Sequence, residues 1–291
     1  MPEMRLSAVL SAHSVWPAES RWIASVRTAA VNWSEGHVAR SVVDSGDLHI
    51  IRSCGRLPTY ILVMPEKSSD AQPASTRTTV RRGSKRAEYD RATMLEILRV
   101  GTVAHVGVVT DSGPLVLPMV YGITDDTMYL HGALANSLLG AAVDVDICAT
   151  VTIVDGLVFA KTPFNHSMNY RSVVVRGRAR LVSDKDEVLR SLQLMTDHVV
   201  PTWDVMRHPS PSEIRATRVV ALSLDEMSAK VRSGGAVNVD EDESAPYWSG
   251  HVPLVARLGQ PVSNDDAGDG IPTQVQNLVG QDIHARSHLD S

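Results

Sequence analysis

The sequence has little of what several common protein classes require. The 291 residues include only two cysteines, Cys54 and Cys148, so a disulfide framework or a Cys-x-x-Cys zinc site is excluded in practice. No apolar run approaches the roughly 18–20 residues that span a bilayer. The net charge is −5, whereas a dedicated nucleic-acid binder normally presents a basic face. We therefore expect a cytoplasmic protein with no metal, nucleic-acid or membrane partner.

Several catalytic motifs are absent as well. The chain contains no GxGxxG after a strand, no GxxxxGK[ST], no HExxH and no GxSxG. A Rossmann enzyme, a P-loop ATPase, a zinc protease and an α/β-hydrolase are each disfavoured. A catalytic triad stays open, because its members come together only in space.

The two ends of the chain differ in composition from its middle. Residues 1–63 contain no lysine and no helical or alternating apolar period, and residues 64–86 are polar and basic. Residues 259–291 are rich in Gly, Pro, Asn and Asp. These compositions predict a disordered extension and basic linker over 1–86, one domain over 87–258, and a disordered acidic tail over 259–291. Met64 opens a typical amino terminus, so whether residues 1–63 belong to the natural protein is left open.

The middle of the chain has the pattern of a mainly β domain. Apolar spacing predicts helices over 88–99 and 134–142, and a third helix capped by Ser183. Strands are predicted over 102–109, 115–121, 128–131, 147–154, 157–161, 171–182 and 218–224, and residues 229–232 extend or follow the last of them. Asp155-Gly156 predicts a type I′ turn between the fourth and fifth strands. A closed barrel with helices outside is the economical solution, because closure removes exposed edges.

Four polar clusters lie beside these strands and form the candidate binding sites. The densest covers residues 161–172, and its side chains can donate to phosphate oxygens, flavin carbonyls or a carboxylate. The second contains a proline that cannot donate to a sheet ladder, the third a helix start that can attract an anion, and the fourth two cations on one side of a strand. In order, the clusters contain Lys161, His166, Asn169, Tyr170, Arg171 and Ser172; Pro118, Met119, Val120 and Tyr121; His131, Gly132, Asn136 and Ser137; and Lys230 and Arg232, with Trp248 beyond. A solvated loop, an edge strand, a helix cap or a solvated strand face would explain each cluster without a ligand.

Taken together, these clusters resemble a known family. The main match is Asp155-Gly156-Leu157-Val158-Phe159-Ala160-Lys161, followed by Phe164-Asn165-His166-Ser167-Met168-Asn169-Tyr170-Arg171-Ser172-Val173. It looks like the pyridoxamine 5′-phosphate oxidase-related flavin-nucleotide-binding proteins, in the branch that includes the nitroimidazole-resistance reductases. Further matches follow in the family's order: Tyr129-Leu130-His131-Gly132, Gly177-Arg178-Ala179, Ser228-Ala229-Lys230-Val231-Arg232 and Trp248-Ser249-Gly250. The resemblance covers about residues 80–258 and implies an antiparallel split β-barrel with flanking helices.

The resemblance also implies a homodimer that binds FMN at the subunit interface and transfers hydride or electrons to or from a small molecule. The strand over 118–121 would lie along the isoalloxazine ring, and the turn at His131 and Gly132, with Asn136 and Ser137, near the phosphate. Tyr170, Arg171 and Ser172 would belong to the cofactor wall, and Lys161, Arg171 or Arg176 could supply the phosphate's cation. Lys230, Arg232 and Trp248 would approach from the other side, and His166 and Tyr170 would be the best proton donors.

One departure from the family pattern concerns the phosphate. Family members usually carry Ser-Arg after His-Gly, whereas this chain has Asn136-Ser137 followed by two leucines. A charge-assisted contact worth about 1.5–3 kcal/mol is therefore missing. The cofactor stays open between FMN and the deazaflavin F420. A non-catalytic flavin-binding protein, and a hydrolase that uses Ser167 or Ser172 with His166, remain as alternatives.

Overall fold

The computed structural model of the chain describes residues 71–268 and 270–284. The predictions made for residues 1–70 and 285–291 lie outside this part of the chain. The strands are β1 (Ala87–Glu88), β2 (Ala104–Thr110), β3 (Gly113–Met119), β4 (Tyr121–Ile123), β5 (Thr127–Ala133), β6 (Asp146–Phe159), β7 (Ser167–Arg178), β8 (Arg180–Leu181), β9 (Thr217–Ser223), β10 (Met227–Arg232) and β11 (Gly250–Pro253). The helices are α1 (Arg91–Val100), α2 (Ser137–Ala142), α3 (Lys185–Val199), α4 (Pro211–Arg215) and α5 (Thr273–Gln276).

The strands form two antiparallel sheets that share a core. The larger sheet has the order β1-β10-β7-β6-β2-β3, with β11 also paired to β6, and the smaller sheet has the order β4-β5-β9-β8. The chain passes from one sheet to the other after Val120 and after Ala179. The mainly β split-barrel fold is therefore confirmed. The closed barrel expected from strand spacing alone is wrong. Among the described residues, β3 does not pair with β4 and β7 does not pair with β8, so the two sheets stay separate where the chain crosses between them.

The core is built from one face of each element. Asp90 caps α1 by accepting a hydrogen bond from the backbone N–H of Thr93, and Gly101 follows its last residue. Helix spacing turns Met94, Leu95, Ile97 and Leu98 inward, and each is buried. Alternate strand residues complete the core, among them Val106, Val151, Val173, Val175 and Leu222. None of the helices among the described residues is long and apolar enough to cross a membrane.

The structure corrects two local predictions. The predicted hairpin at Asp155-Gly156 is wrong, since β6 runs straight through as one strand of 14 residues with a register shift between Val154 and Gly156. The reason is that β7 and β11 pair along its two edges, which holds the segment extended. The cap of α3 is Asp184 rather than Ser183, because the Asp184 carboxylate accepts from the backbone N–H of Glu187.

Residues outside the predicted domain limits contact the core on both sides. In the predicted linker, Arg77 forms an ion pair with Glu226. In the predicted tail, the backbone carbonyl of His284 accepts a hydrogen bond of 3.0 Å from Arg171. These contacts extend the packed structure beyond residues 87 and 258, and the domain limits themselves stay predictions.

Candidate functional site

The outer face of the larger sheet, the face turned away from the core, brings together residues from three predicted clusters. Tyr170 on β7 lies opposite Arg232 on β10, and Ser172 lies opposite Lys230. Because alternate strand residues share a face, the register places these four residues on the same side, and the Arg232 guanidinium reaches from there to Asn169, which has the parity of the opposite face. The register across β2, β6 and β7 places Pro118 of β3 on that face as well, three strands or about 14 Å from β7. We call this set of five residues the outer-face cluster.

Arg232 is the most buried cation of the outer-face cluster. The residue is 9% exposed. Its guanidinium donates to the side-chain oxygen of Asn169 and, over 3.0 Å, to the backbone carbonyl of Gly235. Asn169 in turn donates to the carbonyl of Gly234 over 3.0 Å. Burial lowers the pKa of Arg232, and the positive charge of Arg86 lowers it further.

Arg171 lies on the opposite face of β7 from Tyr170 and Ser172. It is 6% exposed, and its register partner on β6 is the core residue Ile153. The guanidinium donates to both carboxylate oxygens of Asp155, over 3.0 and 2.7 Å. The structure therefore does not bring Arg171 together with the outer-face cluster. To contact a phosphate, its guanidinium would have to leave Asp155.

The predicted strand over 118–121 divides in the same way between surface and core. Pro118 and Val120 are exposed, whereas Met119 and Tyr121 are buried in the core. The Tyr121 hydroxyl donates to the backbone carbonyls of Leu98 and Gly101, and burial raises its pKa. Only two of the four side chains are thus accessible to a ligand.

The third predicted cluster separates into a helix cap and a groove residue. Asn136 caps α2 by accepting a hydrogen bond of 3.0 Å from the backbone N–H of Leu139. This is the helix cap that explains the residue without a ligand. Gly132 fits closely behind this cap, because an added Cβ would come within 3.0 Å of the Asn136 side chain. Ser137 is exposed and lines a different cavity, of about 390 Å³, beside the turn between β2 and β3.

His131 lines a mainly apolar groove of about 490 Å³ between β5 and α3. Val120, Leu192, Met195 and Trp203 supply apolar walls, and Arg207 also lines the groove. Desolvation beside this groove lowers the pKa of His131, which favours the neutral imidazole, and the residue as a whole is exposed to solvent. The sequence analysis did not find this groove. The apolar stripe of α3 is the sequence signal that could have indicated it.

Lys161, His166 and Trp248 lie near the far end of β6 and not beside the outer-face cluster. The Lys161 backbone N–H donates to the Asn238 side chain over 2.8 Å, and its ammonium donates to the carbonyl of Glu243. The rings of His166 and Trp248 both pack against Phe159, at centroid distances of 5.4 and 5.9 Å. The cations and the proton donors of this segment therefore do not converge on one point.

The two predicted proton donors, His166 and Tyr170, are separated along the chain. Four residues of extended chain correspond to about 13 Å, so the two side chains do not act on the same atom. Within the described part of the chain, no hydrogen bond joins His166 to Ser167 or Ser172. The nucleophile and base that the hydrolase alternative requires are therefore not assembled.

Comparison with known proteins identifies relatives. The family model described as pyridoxamine 5′-phosphate oxidase matches residues 90–231. The flavocytochrome Anf3 from Azotobacter vinelandii is 34% identical, with a TM-score of 0.68, over 72% of this chain and 100% of its own. The FAD and heme binding protein from Mycobacterium smegmatis is 28% identical, with a TM-score of 0.64, over 68% of this chain and 98% of its own. No curated protein sequence matches the chain.

Proposed function

We propose, from the premise that this chain belongs to the pyridoxamine 5′-phosphate oxidase family, that it binds a flavin nucleotide and exchanges hydride or electrons with a small molecule. The family resemblance drawn from the motifs is confirmed. The observation that carries the proposal is the outer-face cluster, where Tyr170, Ser172, Lys230 and Arg232 converge. A bound flavin supplies the redox chemistry, and the protein supplies orientation and electrostatics.

The donor set of the outer-face cluster fits a flavin nucleotide. Lys230 and Arg232 supply positive charge for phosphate oxygens, and the hydroxyls of Tyr170 and Ser172 can donate to ring carbonyls. Pro118 lacks a backbone N–H and presents only an apolar ring to the same face. Tyr170 is the residue of this cluster whose phenol can donate a proton to a reduced substrate. His166 is too far along the strand to share that task.

A second copy of the chain is proposed to complete the site. The outer face carries exposed apolar surface, with Val116 59% exposed in the single chain. Apolar surface of this kind gains roughly 25 cal/mol for each Å² removed from water. Covering this face in a homodimer would also enclose the bound flavin and exclude water from it.

The flavin is proposed to be FMN or FAD. The resemblance implied FMN, whereas the Mycobacterium smegmatis relative is named as an FAD-binding protein. The deazaflavin F420 stays an alternative, because the chain lacks the arginine that the family usually places after His-Gly. Each of these cofactors has a phosphate group, and the outer-face cations suit all of them.

A heme is proposed as a second cofactor, on the evidence of the groove beside α3. Relatives named as a flavocytochrome and as an FAD and heme binding protein match this chain over nearly their full length. A heme needs an apolar cleft and an axial ligand, for which a neutral histidine is the common choice. The groove offers apolar walls, and desolvation favours the neutral imidazole of His131, which is exposed at the groove. Arg207 at the groove can pair with a propionate, although it also bonds to Glu213.

Absorption spectra of the purified chain test both cofactors. We expect a flavin spectrum, with the flavin identified by chromatography after extraction, and a separate heme Soret band after growth with a heme precursor. His131→Ala should remove the Soret band and keep the flavin. A protein that stays colourless and does not bind riboflavin, FMN, FAD or F420 would refute the proposal. A bound flavin that no reductant reduces would favour the non-catalytic alternative.

A further inference from the structure

His105 is an exposed histidine on the outer face of the larger sheet, and it belongs to none of the four predicted clusters. It lies on β2 between Ala104 and Val106, which are both buried in the core, so strand alternation turns it to the outer face. Within residues 71–268 and 270–284, its imidazole forms no hydrogen bond, ion pair or ring contact. The ring is therefore free to contact a molecule bound on this face.

The strands beside His105 carry little charge. Pro118 lies directly opposite it on β3, and Thr150 lies directly opposite it on β6. The titratable and charged groups of the neighbouring strands at this face are Cys148 on β6 and Arg176, which pairs with Cys148 on β7. No carboxylate lies on β2 or β3, or on the part of β6 that pairs with β2. The imidazole is therefore not held in one protonation state by an ion pair.

His105 and the cations of the outer-face cluster lie at different places across the sheet. Lys230 and Arg232 are on β10, and β7 and β6 lie between β10 and β2. Three strand spacings correspond to about 14 Å. In a flavin nucleotide, the phosphate and the redox-active ring lie at opposite ends of the molecule. A phosphate bound at β10 therefore directs the ring toward β6 and β2, where His105 projects.

Reduction of a substrate at the ring requires a proton as well as a hydride. In a conjugated carbonyl compound, the hydride adds to the β-carbon and the electron pair of the double bond moves through to the carbonyl oxygen. That oxygen takes up a proton, and the resulting enol rearranges to the saturated ketone. Tyr170 is two strands or about 10 Å from β2. Histidine is the commonest general acid in proteins and titrates near neutral pH, so His105 suits this step.

We propose that His105 is the catalytic proton donor for a conjugated carbonyl compound that is reduced at the flavin site. This step rests on the flavin function proposed above, which supplies the hydride. The imidazolium N–H gives its proton to the carbonyl oxygen, and the neutral ring takes up another proton from water because the residue is exposed. Pro118 and Val116, which is 59% exposed, present apolar surface on the next strand for the hydrocarbon part of an uncharged substrate.

Histidine NMR tests the position of His105 without any turnover. His105→Gln keeps a polar side chain and removes the titrating ring, so the resonance missing from its spectrum identifies His105. His251→Gln is the matched control, because His251 pairs with the buried Val158 and lies on the other face of the sheet. We expect riboflavin and FMN to shift the His105 resonance and to leave that of His251 unchanged. Flavin binding that leaves the His105 resonance in place would overturn the proposal, whereas a protein that binds no flavin would refute the proposed function.

Reoxidation of the reduced, flavin-loaded protein by cyclohexenone tests the proton transfer, with flavin absorbance followed in the absence of oxygen. Because only the protonated imidazole donates, the wild-type rate should fall as the pH rises over the range in which histidine titrates, about pH 5 to 8. His105→Gln should bind flavin as the wild type does, react about 10²–10⁴-fold more slowly at the acidic end and lose the pH dependence. His251→Gln should keep both the rate and the pH profile. A wild type that leaves cyclohexenone unreduced, or a His105→Gln variant that keeps the wild-type pH profile, would overturn the proposal.

Discussion

The ion pair between Arg171 and Asp155 offers the sharpest test of how β6 and β7 are held together at the bulge of β6. Asp155 lies at the bulge of β6, and its two carboxylate oxygens accept from the Arg171 guanidinium over 3.0 and 2.7 Å. The Arg171 side chain is 7% exposed and that of Asp155 is 25% exposed. Asp155→Asn keeps the volume of the side chain and removes the charge, so it isolates the electrostatic contribution.

The burial of the pair sets how much stability Asp155→Asn should lose. Removing one partner of a buried pair costs about 3–5 kcal/mol, because the other charge stays buried alone. Asparagine still accepts one hydrogen bond, and a quarter of the Asp155 side chain contacts water. We therefore expect a loss of about 3 kcal/mol, which lowers the folded-to-unfolded ratio on the order of a hundredfold.

Urea unfolding followed by circular dichroism measures this loss, with Asp126→Asn as the matched control. Asp126 pairs with Arg91 over 3.0 Å, but 86% of its side chain is exposed. Exposed pairs contribute about 0–1 kcal/mol, so the control should lose no more than that. A loss for Asp155→Asn no larger than the control's would refute the reasoning. If Arg171 is instead the phosphate anchor that the motif predicted, the same variant should change FMN affinity more than riboflavin affinity.

Three further changes test other contacts. Tyr121→Phe should cost about 1–3 kcal/mol in urea unfolding, because the Leu98 carbonyl loses the hydroxyl donor while the Gly101 carbonyl keeps His198, and an unchanged midpoint would contradict this. Gly122→Ala should lower the melting temperature by an overpacking cost of about 1–3 kcal/mol, since its Cβ would lie 2.7 Å from a backbone nitrogen of α3. Gly259→Ala, with open space around it, is the control and should melt as the wild type does. Because burial lowers the pKa of His131, the unfolded chain takes up the proton first, and stability should fall as the pH drops below about 6.5. His131→Gln should reduce that fall between pH 7.5 and 5.5, and identical pH profiles would show that the ring is solvated.

The family and the fold class were accessible from the sequence because they depend on local features. Strand alternation, turn residues and the motif over 155–173 are properties of neighbouring residues, and each can be read without knowing what packs against it. The caps show the limit of this reasoning. The Asn136 side chain could have served an anion site or a helix cap. In the structure it accepts a hydrogen bond from the backbone N–H of Leu139, so it is a cap.

The composition of the site was decided by strand pairing. Tyr170, Arg171 and Ser172 are consecutive, yet the pleat sends Arg171 to Asp155 and the other two residues to the outer face. The hairpin predicted at Asp155-Gly156 failed for a similar reason, since β7 and β11 occupy both edges of the segment. Turn propensity is a local preference of a fraction of a kcal/mol to about 1 kcal/mol, and two ladders of backbone hydrogen bonds outweigh it.

The sequence by itself indicated the mainly β class, most of the strands and helices, and the family. Only the tertiary structure decided which distant residues meet: Arg77 of the basic segment with Glu226, and His131 with the walls supplied by α3. The physical reason is that secondary structure depends on interactions a few residues apart. A binding site depends on register and on sheet crossings, which bring together side chains that lie far apart in the sequence, as Tyr170 and Arg232 do.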